Sequence, residues 1–304
     1  MKIIITGPTG MIGLALIKLL KDEHELTLIT RPNSRNNKKI PKHHNIQIIE
    51  CDNSQLLSLK DKIKGDIFFH LAWSNTYGFK NRNNVYSQEK NIQYTLDATK
   101  LAYYSGCNVF VGAGSQAELG VHNTKLTDKT PVNPTTGYGI AKYTAGKLSK
   151  LLSDELGIKH CWTRILSVYG PGDTHSMICS LITSALNNEE FDTTDAKQVW
   201  NYIYSEDCAN ALYEIAINGK HGECYLIAGE EEKTLKEYIL SVCEQINPEY
   251  QVNFGKREYN PDQVMYMSAD ISKLKKDTPF KIKYTFNKGI GKTIEWIKKI
   301  NNLN

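Results

Sequence analysis

The chain has 304 residues, of which 40% are hydrophobic and 23% charged, and its formal net charge is +4 at pH 7. This composition excludes collagen-like, disordered and disulfide-scaffold proteins, and a surplus of 37 basic over 33 acidic residues is too small to indicate binding to nucleic acid or a membrane surface. No apolar run approaches the roughly 20 residues that a membrane-spanning helix needs.

Short β-branched runs alternate with longer stretches of helical periodicity in the first half of the chain. The predicted strands, in chain order, are 2–6, 25–30, 46–50, 66–71, 108–113 and 159–166. The predicted helices are 11–21, 91–105 and 138–156, and the polar segment 33–39 is predicted to be a loop. In the first helix, the residues expected on the buried face are Ile12, Ala15, Leu16 and Leu19. This alternation predicts an α/β fold, a Rossmann-type doubly wound parallel sheet covered by helices on both faces.

Beyond residue 170 the pattern becomes irregular. We predict a short strand at 200–204 and helices at 208–217 and 235–246. Residues 1–170 are therefore predicted to form the Rossmann domain. Residues 171–304 are predicted to form a smaller, mixed α/β substrate-binding region that contributes a strand back to the main sheet.

A glycine-rich segment follows the first predicted strand and opens the first predicted helix. Gly7, Gly10 and Gly13 stand at Gly-x-x-Gly-x-x-Gly spacing. Such glycines permit a tight turn and a close approach of the backbone to a pyrophosphate, while the helix N-terminus offers free N–H groups. We expect a dinucleotide to be bound by Gly7, Thr9, Gly10, Met11, Ile12 and Gly13. The alternative is an ordinary strand-to-helix turn.

The end of the second predicted strand bears on the choice of cofactor. Sites that prefer NAD place an acidic residue there to hold the ribose 2′-hydroxyl, and the sequence has Thr30, Arg31 and Pro32 instead. Arg31, with Ser34 and Arg35, could hold a 2′-phosphate by charge-assisted hydrogen bonds. We therefore favour NADP over NAD, although Arg35 could equally belong to a solvated basic loop.

A candidate catalytic set lies near the middle of the chain. Tyr138 and Lys142 stand four residues apart and so share one helix face. A free tyrosine has a pKa near 10, and a nearby ammonium group is expected to lower that pKa. Ser115 follows an apolar strand, where its hydroxyl can donate to a substrate carbonyl or alkoxide oxygen. We predict Ser115, Tyr138 and Lys142 as the catalytic residues.

The glycine motif, Ser115 and the Tyr-x-x-x-Lys pair resemble, in type and order, the extended short-chain dehydrogenases/reductases of the NAD-dependent epimerase/dehydratase family. Segments 134–142 (PTTGYGIAK) and 164–172 (RILSVYGPG) extend the resemblance toward the C-terminus. It implies that Asp52 contacts the adenine, that Leu71 and Ala72 lie beside the cofactor, and that a nucleotide-diphosphate sugar is the substrate. It also implies a homodimer formed through helices 91–105 and 138–156.

Departures from the family pattern narrow the reaction. Its sugar 4,6-dehydratases carry an Asp-Glu pair directly after the catalytic hydroxyl, where this chain has Gln116 and Ala117. Its 4-epimerases usually carry an arginine where Trp200 stands. Segments 70–73 (HLAW), 114–118 (GSQAE) and 200–204 (WNYIY) resemble a bacterial subgroup similar to CDP-abequose synthase and related 4-keto-6-deoxy-sugar reductases. The candidate substrate-binding residues are Trp73, Gln116, Glu118, Arg164 and Trp200.

Some of these residues have other interpretations. Trp73 and Trp200 could serve core packing, and Glu118 could be a solvated loop carboxylate. The leading hypothesis is NADPH-dependent reduction of a nucleotide-activated 4-keto-6-deoxyhexose at C4, with the nucleotide left open. A nucleotide-sugar epimerase using bound NAD is the alternative. A non-catalytic dinucleotide-sensing module is disfavoured because Tyr138 and Lys142 are both retained.

The cysteines and histidines do not indicate a metal site. The seven cysteines are scattered and form no Cys-x-x-Cys pair, and His43 and His44 have no carboxylate or cysteine partner at ligand spacing. We therefore predict no metal, reduced thiols and a cytoplasmic protein.

Overall fold

The computed structural model describes residues 1–259 and 263–301. Twelve strands are formed by these residues: β1 (Lys2–Thr6), β2 (Glu25–Thr30), β3 (Ile46–Glu50), β4 (Ile67–His70), β5 (Val109–Ser115), β6 (Lys159–Ile165), β7 (Ser167–Tyr169), β8 (Val199–Trp200), β9 (Tyr202–Tyr204), β10 (Cys224–Ile227), β11 (Lys233–Thr234) and β12 (Tyr266–Met267). Seven of them form one parallel sheet in the order β10-β6-β5-β4-β1-β2-β3. The predicted Rossmann-type α/β fold is confirmed.

The helices cover both faces of this sheet. They are α1 (Met11–Leu20), α2 (Phe79–Arg82), α3 (Val85–Tyr104), α4 (Gly137–Leu156), α5 (Met177–Asn187), α6 (Ser205–Asn218), α7 (Leu235–Ile246), α8 (Ser272–Asp277) and α9 (Phe286–Ile300). Helix α1 packs against α6, and α3 packs against α4. Within the described residues, no helix combines the length and the apolar character needed to cross a membrane.

The central strands are apolar on both sides because both sides are buried. In β1, Ile3 and Ile5 belong to the core that includes Leu16 of α1, whereas Ile4 belongs to the core that includes Leu101 of α3 and Phe110 of β5. Successive side chains of a strand point to opposite faces, so a strand covered by helices on both faces is a nearly continuous apolar run. This explains why the unbroken run Ile3–Ile5 is a strand.

The C-terminal half has a core of its own. Helices α5, α7 and α9 pack together. The buried aromatic residues Tyr169, Tyr238 and Phe286 lie among them. Strand β10 nevertheless comes from this half and pairs with β6 of the main sheet. The division at residue 170 stays a prediction.

Three local predictions are wrong. Helix α3 begins at Val85, six residues before the predicted start, because the Asn84 side chain caps it by accepting a hydrogen bond from the Ser87 N–H. The predicted loop 33–39 contains a short 3-10 helix, Arg35–Lys39. Leu19 is 39% exposed, since α1 buries Ile17 and Leu20 instead.

The predicted strand 200–204 is divided between two sheets. β8 pairs with β11 and β12, whereas β9 pairs with β7. Asn201 between them is buried, and its Nδ2 donates to the carbonyls of Gly229 and Glu231 at 2.9 and 2.8 Å. These hydrogen bonds hold the backbone at the point where it leaves the sheet of β8 and enters the sheet of β9.

Candidate active site

A cleft of about 690 Å³ lies at the carboxyl ends of the central strands. The predicted site residues that line it are Gly7, Thr9, Gly10, Met11, Ile12, Gly13, Arg31, Ser34, Leu71, Ala72, Trp73, Ser115, Gln116, Tyr138 and Lys142. The predicted residues that do not line it are Arg35, Asp52, Glu118, Arg164 and Trp200. The structure therefore brings the glycine motif and the candidate catalytic residues into one cleft.

The presence of glycine has a different structural explanation at each of the three motif positions. Gly7 has a φ of +69°, and a Cβ there would lie 2.7 Å from the Ala72 nitrogen. A Cβ at Gly13 would lie 2.5 Å from the Gly7 oxygen. A Cβ at Gly10 would meet only the Gly7 oxygen, at an ordinary 3.6 Å. Since packing does not require glycine at position 10, the bare backbone there fits the close approach of a pyrophosphate to the uncapped start of α1.

Gly10→Ala is expected to separate binding from folding. The φ of −75° at Gly10 suits alanine, so the melting temperature should change little. The affinity for a dinucleotide should fall by roughly tenfold or more, because the methyl group occupies the approach to the helix N-terminus. Gly13→Ala is the matched comparison and should lower the melting temperature. Fluorescence titration with NADPH and thermal unfolding of both variants test this, and undiminished binding by Gly10→Ala would contradict it.

At the far end of the glycine loop the cleft is lined by Arg31, Ser34 and Asn53. Asp52 is exposed and turned away, because its Oδ1 accepts hydrogen bonds from the Ser54 N–H and hydroxyl at 2.9 and 2.7 Å. These bonds lower the pKa of Asp52. Arg35 is exposed in the 3-10 helix outside the cleft. Asp52 and Arg35 thus lie outside the cleft lining, and their expected cofactor contacts stay predictions.

A buried histidine holds the end of β4 in place. His70 Nδ1 lies 2.9 Å from the Thr6 hydroxyl, and its Nε2 lies 3.3 Å from the Thr95 hydroxyl. Burial lowers the pKa of His70 to about 3, so the ring is neutral at pH 7. The Ala72 N–H also donates to Thr6, at 3.4 Å. These bonds place Leu71 and Ala72 beside the glycine loop, and their predicted contact with the cofactor stays a prediction.

Lys142 is held firmly beneath the cleft. It is 3% exposed, its Nζ donates to the Ala113 carbonyl, and it lies 3.7 Å from the centroid of the Trp73 ring. Trp73 is itself anchored by a 2.9 Å hydrogen bond from its Nε1 to Gln88. Burial lowers the pKa of Lys142 to about 7. Trp73 thus both lines the cleft and supports Lys142.

The surroundings of Tyr138 also change the pKa of its phenol. Burial raises its pKa, while the Ser115 side chain and the charge of Arg82 oppose that rise. The expected lowering by Lys142 is corrected here, because the Lys142 Nζ lies 5.8 Å from the Tyr138 ring centroid whereas the Arg82 guanidinium lies 4.7 Å from it. The phenol is therefore held in its protonated form. No sequence motif pointed to Arg82.

Glu118 lies behind the site. It is 1% exposed, its Oε1 accepts hydrogen bonds from the Ser115 N–H and the Trp162 Nε1, and its Oε2 accepts one from the Arg164 Nε, all at 2.9 Å. A buried carboxylate needs such partners. Glu118 and Arg164 thus form an ion pair that holds Ser115 from outside the cleft lining, and their predicted substrate contacts stay predictions that this lining does not support.

Trp200 also lies behind the residues that line the cleft. Its Nε1 donates to the Ser167 hydroxyl at 2.8 Å, and Ser167, not Trp200, lines the cleft. Trp200 is half-buried and packs against both hydrophobic cores that flank it. The packing interpretation therefore fits this tryptophan better than the stacking one.

The lining carries charge of one sign. Its basic residues are Arg31, Arg82 and Lys142. Among the lining residues in the part of the chain that the structure describes, there is no aspartate or glutamate. Low-dielectric walls with charge of one sign concentrate ligands of the opposite sign. The cleft is therefore suited to ligands that carry several negative charges.

Comparisons with known proteins show which family and which folds the chain is similar to. A family model described as "NAD dependent epimerase/dehydratase family" matches residues 3–228. The dTDP-glucose 4,6-dehydratase of Neisseria meningitidis serogroup B is 22% identical over 335 residues, covering 97% of this chain and 92% of that protein. The corresponding dehydratase of Salmonella typhimurium is 23% identical over 333 residues, with the same coverage.

Two solved structures show the same fold over nearly their whole length. A UDP-N-acetylglucosamine 4-epimerase from Methanobrevibacter ruminantium M1, in complex with UDP-N-acetylmuramic acid, has a TM-score of 0.86 at 21% identity, covering 99% of both chains. A UDP-glucose 4-epimerase from Thermotoga maritima, with UDP-glucose, has a TM-score of 0.87 at 20% identity, covering 99% of this chain and 100% of that one.

Proposed function

The chain belongs to the NAD-dependent epimerase/dehydratase family, and from this we propose that it is an NADPH-dependent reductase of a nucleotide-activated 4-keto-6-deoxyhexose. The observation that carries the proposal is the composition of the cleft. Ser115, Tyr138 and Lys142 meet at a cleft whose charged lining residues, within the described chain, are all cations. Such a cleft has groups for proton transfer to a carbonyl and positive charge for two phosphorylated ligands.

The proposed roles follow from the contacts of each side chain. The nicotinamide of a bound dinucleotide supplies the hydride. Tyr138, kept protonated by burial, donates its phenolic proton to the oxygen formed at C4. Ser115, anchored from behind by Glu118, donates a hydrogen bond to the same oxygen. Lys142 has ammonium donors left after its bond to the Ala113 carbonyl, and in this proposal they hold hydroxyl groups of the cofactor ribose.

Dehydration is less consistent with this cleft. Gln116 lines it and Ala117 is buried, so neither of the positions after Ser115 offers a carboxylate. Removing water from a hexose needs an acid and a base at neighbouring carbons. This chain shares the family with the relatives named as dehydratases, but it has no carboxylate at the two positions after Ser115 to form such an acid–base pair.

The proposed reaction is tested by consumption of NADPH. The purified protein is mixed with NADPH and, in turn, with CDP-, dTDP-, GDP- and UDP-linked 4-keto-6-deoxy sugars, and the absorbance of the reduced nicotinamide is followed. We expect oxidation of NADPH with at least one of the sugars. Protein that binds NADPH and oxidises it with none of them would exclude the reductase.

A nucleotide-sugar 4-epimerase with retained NAD is the second candidate. Both solved structures described above are 4-epimerases, although at 20 and 21% identity they establish only the fold. An epimerase removes and returns a hydride, so it keeps its dinucleotide through turnover. Mass analysis of the dinucleotide released on denaturing the purified protein separates the candidates. Tightly held NAD would favour the epimerase, and an empty site that takes up NADPH would favour the reductase.

The preference for NADP is part of the proposal and rests on Arg31. Arg31→Asp is expected to weaken NADPH binding by roughly tenfold to hundredfold, because a charge-assisted pair with the 2′-phosphate is replaced by repulsion. NADH affinity should be retained or improved. Lys38→Ala, at an exposed position of the neighbouring 3-10 helix, is the control and should bind both as the wild type does. Equal loss of NADPH and NADH affinity would refute the preference.

We also propose a homodimer. Helices α3 and α4 expose apolar side chains, among them Tyr86, Tyr103, Ile140 and Leu151. Apolar surface of this kind on neighbouring helices suits an interface between copies. Light scattering should give about twice the 34.4 kDa mass of one chain, and the mass of a single chain would contradict the dimer.

A further inference from the structure

Arg82 occupies an unusual place in the cleft. It is the last residue of α2, and its guanidinium lies 4.7 Å from the ring centroid of Tyr138. The next residue, Asn83, accepts a 2.9 Å hydrogen bond through its Oδ1 from the Gly137 N–H at the start of α4. The segment that carries Arg82 is thus fixed to the helix that carries Tyr138. The guanidinium is therefore held beside the reacting group before any ligand binds.

The polar atoms of Arg82 are not all satisfied by the protein. Its Nε is buried and has no hydrogen-bond partner among residues 1–259 and 263–301. Arg164, by comparison, uses its Nε to bind Glu118. An unpaired buried donor is costly, and a planar guanidinium matches the oxygens of a phosphate or carboxylate. Arg82 also lines the cleft, so an anionic oxygen bound there would complete the hydrogen bonding of its guanidinium.

The other cations of the cleft do not compete for this role. Lys142 is engaged by the Ala113 carbonyl and the Trp73 ring. Arg31 directly follows β2, which is three strand positions away from β5, so it lies roughly 14 Å across the sheet at about 4.8 Å per strand. Of the lining cations near Tyr138 in the described cleft, Arg82 is the nearer to its ring, at 4.7 Å against 5.8 Å for Lys142, and Arg82 is the one not assigned to the cofactor.

We propose that Arg82 binds an anionic oxygen of the nucleotide sugar, namely an oxygen of the phosphate next to the sugar. This inference rests on the nucleotide-sugar substrate class of the proposed function. It assigns the anion that the substrate must present beside its reacting carbonyl. It also makes Arg82 a residue of substrate binding and not of cofactor binding.

The test is calorimetric binding, which needs no turnover. The wild type is titrated with CDP, dTDP, GDP and UDP, and the preferred nucleotide is then used in three forms: the diphosphate alone, its neutral hexose and its hexuronic acid. Arg82→Met is compared with Arg82→Lys, which keeps the charge. The control is Arg257→Met, at an exposed arginine outside the cleft. NADPH binding and the melting temperature are measured for every variant.

We expect Arg82→Met to weaken binding by roughly tenfold to hundredfold, with a smaller loss for Arg82→Lys and none for Arg257→Met. A loss shared by all three ligands supports the phosphate contact, and a loss confined to the hexuronic acid would overturn it. NADPH affinity should be unchanged. If Arg82→Met binds every form as the wild type does, Arg82 has no such role. If the wild type binds none of the nucleotides, the proposed substrate class fails together with this site.

Discussion

Replacing Tyr138 with phenylalanine is expected to reduce kcat about 10²–10⁴-fold, the usual contribution of a positioned general acid. The ring remains, so its contacts with Trp73 and Arg82 are kept and only the proton donor is lost. Affinities for NADPH and for the nucleotide sugar should stay within about twofold of wild type. Because burial raises the pKa of this phenol, the wild-type rate should fall only at alkaline pH.

The measurement is a comparison of kcat and binding in two tyrosine variants. Tyr143→Phe, on the same helix but outside the cleft, is the matched control and should retain wild-type kcat. Wild-type activity in Tyr138→Phe would remove the central acid from the mechanism.

Glu118→Ala is expected to cost about 3–5 kcal/mol of unfolding free energy, the range found when one partner of a buried ion pair is removed. The change leaves three donors without their acceptor: the Arg164 guanidinium, the Trp162 indole and the Ser115 N–H. Glu118→Gln retains an acceptor oxygen and should cost less. Glu155→Ala, at an exposed glutamate of α4, should stay within about 0.5 kcal/mol of wild type.

Urea unfolding of the three variants gives these free energies. The folded fraction of Glu118→Gln should also show a lower kcat with little change in KM, because Ser115 loses part of its support while the cleft lining is intact. Equal stability of Glu118→Ala and Glu155→Ala would show that the buried pair contributes nothing to the fold.

The parts of the fold that follow local pattern could be predicted. The strands β1, β2 and β3 have the predicted bounds, and the apolar run of β1 indicates burial on both faces. The glycine motif and the Ser115, Tyr138 and Lys142 set met in one cleft because carboxyl ends of parallel strands share one edge of the sheet. These features depend on residues close together in sequence or on topology.

The residues that could not be placed depend on contacts between distant segments. Glu118 and Arg164 lie 46 residues apart and meet because β5 and β6 are neighbours, so neither partner reveals the buried pair by itself. Asn201 divides a predicted strand through bonds to the 229–231 segment. Arg82 stands in a short helix with no motif, and only its position above Tyr138 reveals it.

The transfer of isotope from the cofactor tests the central claim most directly. Protein, 4-deuterated NADPH of the transferable face and the 4-keto-6-deoxy sugar that is consumed in the panel are incubated, and the product is examined by mass spectrometry and NMR. We predict one deuterium at C4 of the sugar for each NADPH oxidised. A sugar product without deuterium, or with a changed configuration and no net oxidation of NADPH, would contradict the reductase.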